Sequence, residues 1–201
     1  HPSGLHLLVG LTDKVICYNV RAEKLHKFKE WNIRLCHDIK FSNGGHLFAA
    51  VADGKQVHVF DFYKGESPAA LRYDEHLIKV SNINWFNNDM GFTTCGHDGN
   101  IYFYDLFVHT GEKNKRNGDM DYQASEKGTK YSQIVNLPNS PNYECIAVGN
   151  DKKLVQIKRG KTVTTGPKEG GAGQKTDKLD ASLSAITMMK SGRAIIAGVG
   201  E

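Results

Sequence analysis

The chain has 201 residues, 39% hydrophobic and 24% charged; this composition excludes a wholly disordered polymer, and no apolar run approaches the roughly 20 residues a membrane-crossing helix requires. A net charge of +4 with a pI near 8.8 is too mild for a nucleic-acid-binding footprint, so neither nucleic acid nor membrane is expected as a partner. Cys17, Cys36, Cys95 and Cys145 form no CxxC pair, which argues against both a disulfide scaffold and a zinc module.

In chain order, His1-Pro2-Ser3-Gly4 reads as a turn and lacks the pattern of a signal peptide. A strand to Gly10 follows, Asp13-Lys14 turns the chain, and 15–20 returns as a second strand, which together make a hairpin. The same arrangement recurs at Ser42-Asn43-Gly44-Gly45, strand 46–51, turn Asp53-Gly54 and strand 56–62. It recurs again with strand 92–96, turn Asp98-Gly99 and strand 100–107, and a fourth time with strand 143–149, Asp151 and strand 154–158. A fifth copy starts at Lys190-Ser191-Gly192. A missing initial Met and a strand-like run at 193–199, directly before the last residues, read as a segment of a longer protein.

Each later hairpin is preceded by another short apolar run, at 36–41, 80–86, 133–137 and 184–189, while the polar links 25–31 and 69–73 suit a fourth strand. The turn aspartates Asp13, Asp53, Asp98 and Asp151 are spaced by about 40, 45 and 53 residues, bracketing the repeat of a four-stranded propeller blade. Four short strands per unit at this period predict an all-β partial propeller of about four to five blades. A β-sandwich also has many short strands, but its strands do not recur with a unit period of this size. One propeller is expected over 1–201, with polar insertions near 109–130 and 158–178.

The third unit, from His76 through Trp85 to Cys95-Gly96-His97-Asp98-Gly99-Asn100-Ile101-Tyr102-Phe103-Tyr104-Asp105, closely resembles a WD40-type repeat. That resemblance implies an internal hydrogen-bond tetrad of His76, Thr94, Asp98 and Tyr104, with Tyr104 where the family's Trp usually stands. Burying a His against an Asp is physically reasonable, because unpartnered polar groups between sheets are costly. Glu75-His76 replaces the usual Gly-His, and the other copies lack the complete tetrad.

Two strings, HPSGLHLLVGLTDK at 1–14 and FSNGGHLFAAV at 41–51, resemble the cilia- and flagella-associated protein 57 family. This second resemblance implies a non-enzymatic axonemal scaffold in motile cilia or flagella, with tandem propellers and a long coiled coil. Its implied partners are inner dynein arm, radial-spoke-base and regulatory-complex proteins on doublet microtubules, with the microtubule itself as a further partner. No catalytic residue, cofactor or metal is expected. The alternatives are a WD-repeat adaptor outside cilia and a propeller enzyme, the latter requiring acids, bases or ligands converging from several blades.

Partner contact is assigned to two groups of residues. Trp31, flanked by Lys29 and Glu30, is a candidate exposed aromatic anchor, with packing between blades as the competing role. Lys158, Arg159, Lys161, Lys168, Lys175 and Lys178 form a basic, glycine-rich stretch suited to an acidic surface, set against the alternative of a solvated loop. Gly170-Gly171-Ala172-Gly173 lacks the phosphate-loop spacing. Cys36 and His37, adjacent on a strand, should face opposite sides and not share an ion.

Overall fold

Alternation of side chains, two residues per repeat, lets one strand serve two interfaces. In strand Leu47–Ala52 the sequence Phe48-Ala49-Ala50-Val51-Ala52 is buried throughout. Phe48, Ala50 and Ala52 pack towards the preceding sheet, whereas Ala49 and Val51 pack towards the following one. A strand buried on both faces reads as a continuous apolar run, which is what this sequence shows.

The computed structural model describes residues 1–64, 71–106, 120–138, 140, 144–158, 161–164, 182–189 and 195–199, with the backbone alone at 120–122, 161–164, 195–197 and 199. All its regular elements are strands, paired antiparallel in chain order. The first sheet holds β1 (His6–Gly10), β2 (Val15–Val20) and β3 (Leu25–Trp31). Three four-stranded sheets follow. They comprise β4 (Ile39–Phe41), β5 (Leu47–Ala52), β6 (Gln56–Asp61) and β7 (Leu71–Tyr73); then β8 (Val80–Trp85), β9 (Gly91–Gly96), β10 (Asn100–Asp105) and β11 (Met120–Ser125); then β12 (Tyr131–Asn136), β13 (Cys145–Gly149), β14 (Leu154–Lys158) and β15 (Lys161–Thr164). The fifth sheet pairs β16 (Leu183–Met188) with β17 (Ile195–Val199).

Four apolar clusters fill the four seams between successive sheets. Val15, Cys17 and Trp31 meet Phe48, Phe60 and Phe62 in the first; Val51, Val57 and Tyr73 meet Ile83, Trp85 and Tyr104 in the second. Ile101 and Phe103 meet Ile134, Val155 and Ile157 in the third, and Val135 and Val148 meet Leu183 and Ile186 in the fourth. Meandering sheets stacked face to face in sequence are a sector of a β-propeller, as the repeat period predicts. β11 lies within the stretch 109–130 and β15 within 158–178, each the outer strand of its sheet.

Hydrogen bonds reinforce the seams. At the inner strands, Asp38 Oδ2 accepts from the Ile83 N–H at 2.7 Å, Asn82 Oδ1 from the Ile134 N–H at 3.2 Å and Gln133 Oε1 from the Ile186 N–H at 2.8 Å. Each acceptor immediately precedes an isoleucine, and the last copy of the pair is Ala185-Ile186. In the third, fourth and fifth sheets the pairing register shifts across Ser81, Ser132 and Ser184, one residue before this position. Such bulges re-aim the strand. At the opposite end of the sheets, Asp89 grips the turn of the second sheet: its carboxylate accepts from the Asn43 N–H at 2.7 Å and the Gly44 N–H at 2.6 Å.

Candidate functional site

The third sheet carries the most developed polar site. His76 enters the seam just ahead of β8 and is 2% exposed. Its Nδ1 lies 2.9 Å from Asp98 Oδ2 and its Nε2 2.8 Å from Thr94 Oγ1. Nδ1–H donates to the carboxylate in either charge state, while Nε2 accepts the Thr94 proton when neutral and donates to that oxygen when charged. The ring also stands edge-on to Tyr102, with centroids 4.6 Å apart.

Asp98 is held from several sides. Its Oδ1 accepts from the Asn100 N–H at 3.1 Å, closing the turn into β10, and Oδ2 accepts from the Leu77 N–H at 3.1 Å. Burial pushes this carboxyl's pKa up, but the His76 bond and charge, together with those backbone donors, outweigh burial and leave it below the usual aspartate value. Gly96 makes the room: a Cβ there would meet His76 Nδ1 at 2.7 Å and the Lys79 carbonyl at 2.9 Å. Close approach therefore excludes any larger residue, a role not assigned to Gly96 from the sequence.

Tyr104 is fully buried, and its hydroxyl donates to Glu75 Oε2 at 3.1 Å. Glu75 thus takes up a polar atom of the Tyr that stands where the resemblance expects Trp, and its backbone carbonyl accepts from the Tyr102 hydroxyl at 3.1 Å. Burial first, then the Glu75 charge, drive the Tyr104 pKa far upward, with Thr94 acting in the other direction. The four residues named from the motif are gathered in one place, with Glu75 added. Every polar atom named here is engaged within the protein, and the arrangement holds the loop ahead of β8 in place.

Trp31 requires a correction. It is 5% exposed and packs edge-on against Phe48, with ring centroids 4.8 Å apart, in the seam between the first two sheets. The strand alternation that places Val15 and Cys17 in that seam also carries Trp31 inward, with the Lys29 ammonium 4.9 Å from the ring centroid. An exposed anchor is ruled out; the packing role holds. Lys158 lies on β14 and bridges Glu144 at 3.0 Å, with Gln156 donating to the same carboxylate at 2.8 Å. Lys161 belongs to β15, where the backbone alone is described, and Arg159, Lys168, Lys175 and Lys178 lie outside the described residues.

Cys36 Sγ donates to the Asp38 carbonyl at 3.5 Å, and burial, then Asp38, push its pKa up to about 11. His37 is exposed beside Gly54. Among the described residues, no group of three or more His, Cys, Asp or Glu side chains converges to hold a metal ion.

Comparison with known proteins decides the relationship. Over 198 residues, 98% of the chain, it is 30% identical to cilia- and flagella-associated protein 57 of Mus musculus. The chain is a homologue of cilia- and flagella-associated protein 57. Protein 57 C of Tetrahymena thermophila matches the whole chain at 31% identity, and protein 57 A of the same organism matches 52% of it at 40%. The chain spans 14%, 15% and 8% of the mouse, C and A proteins respectively, so it corresponds to a minor part of each cilia- and flagella-associated protein 57 relative. No protein-family model matches the chain.

Proposed function

We propose that this propeller sector belongs to a non-enzymatic scaffold of the axoneme in motile cilia or flagella. On this reading it docks inner dynein arm, radial-spoke or regulatory components on doublet microtubules. The observation that carries the reading is similarity along essentially the whole chain to proteins named for cilia and flagella. The polar site supports it, because His76, Asp98, Thr94, Tyr104 and Glu75 bond to one another and hold backbone in place. Repeated sheets of this kind offer a rigid rim on which loops are displayed.

Proximity labelling of the full-length parent protein in ciliated cells tests the proposal. Enrichment of inner-arm dynein and spoke-base proteins is the expected result. A nuclear or purely cytosolic neighbourhood overturns it.

A further inference from the structure

Of the large apolar side chains exposed among the described residues, Leu77 is the most exposed at 79%, and its neighbour Ile78 is 55% exposed. Isolated surface leucines need no explanation, but two adjacent apolar residues on a fixed loop do. The loop 74–79 is tied down on every side. Leu77 N–H is held by Asp98, the Lys79 carbonyl accepts from the His97 N–H at 2.8 Å, and the Val80 N–H reaches the Gly54 carbonyl at 2.8 Å. The buried His76 anchors it from beneath. Two apolar side chains are therefore presented on preorganised backbone, so binding through them orders little further chain.

Their surroundings are polar and biased in charge. Lys55, Lys79 and Lys130 are exposed at this end of the second, third and fourth sheets, against exposed Asp53 and Asp74. Lys79 and Lys130 both act on His97: burial first, then these two cations, lower its pKa, with Asp98 opposing. Among the described residues neither lysine makes an ion pair. We propose that Leu77 and Ile78 form a docking knob for an apolar pocket, rimmed by Asp or Glu side chains, on a separate protein. The apolar pair supplies the buried contact, and the lysines select the partner's charge.

This inference goes beyond the scaffold reading, since labelling tests where the protein resides and the following experiment tests one contact. A photo-reactive p-benzoylphenylalanine replaces Leu77 in the full-length protein, expressed in ciliated cells, and the cross-linked peptide is sequenced. The expected product joins another polypeptide at a segment with an apolar residue flanked by Asp or Glu. Moving the photo-reactive residue to Ile78 and adding Lys79→Glu with Lys130→Glu is expected to cut that product about tenfold. Leu77→Asp is expected to melt with the unaltered protein while losing the partner; should it fail to fold, the charge-reversed pair decides. A cross-link within the same polypeptide, to a second copy, to a segment without acids, or to nothing overturns the proposal.

Discussion

His76 illustrates how a single side chain ties sequence to surface. Its two ring nitrogens meet a carboxylate and a hydroxyl, so removing any one partner strands a polar group in a dry seam. Asp98→Asn and His76→Ala are each expected to destabilise the domain by about 2–3 kcal/mol, measured by urea unfolding of the parent domain. The lowered pKa of Asp98 sets the sign with acid. Its contribution is fully present above the ordinary aspartate value and is lost as pH falls through the depressed folded-state value. The stability gap between wild type and Asp98→Asn should accordingly shrink towards pH 2, and a gap that widens in acid would contradict the assignment. Much of this site was legible, because the resemblance of the third unit to a WD40-type repeat implies a tetrad of His76, Thr94, Asp98 and Tyr104. Glu75 and Gly96 were not, since one works as a departure from the pattern and the other through a side chain it lacks.

Strands and turns were legible to different degrees. Asp53-Gly54 reads as a hairpin turn, and both residues do carry positive φ, +49° and +75°, as a primed turn requires. The outer strands β11 and β15 fall in stretches that read as insertions. Their sequences, MDYQAS and KTVT, carry little of the apolar signal that marks the other strands. The links between inner strands were also invisible, because Asp38, Asn82 and Gln133 share an acceptor oxygen and no residue type. Gln133→Ala should leave the Ile186 N–H without its acceptor and weaken docking of the fifth sheet by about 1–2 kcal/mol. Hydrogen exchange at Ile186 checks this: its amide should exchange faster in the variant while amides of β9 and β10 keep their protection.

For the molecule as a whole, the period of the turn aspartates was enough to give sheet-upon-sheet stacking, because blade architecture is set by repetition more than by any single residue. Trp31 escapes such reading, since a Trp between charged neighbours looks the same on paper whether its strand turns it inward or outward. The seams are the places where stability resides. Phe48, fully buried between Trp31 and Phe60, should cost about 3–5 kcal/mol when replaced by Ala. The outer face of the first sheet shows exposed Leu7 and Val20 with Leu5 beside it. Expressed on its own, the 201-residue chain is expected to associate or to melt broadly; a monomer in ultracentrifugation with one sharp calorimetric transition would contradict this.

The links between inner strands have a direction. In each of the three, the side-chain oxygen belongs to the earlier sheet and the captured N–H to the later one. A ribosome delivers the chain in that same order, so the third, fourth and fifth sheets are each synthesised after the sheet that carries their acceptor oxygen. These inner-strand links are therefore expected to form in chain order, although Asp89 reaches the other way, from the third sheet back to the second. Ala185, whose methyl stands where Asp38, Asn82 and Gln133 offer oxygen, passes no such link onward.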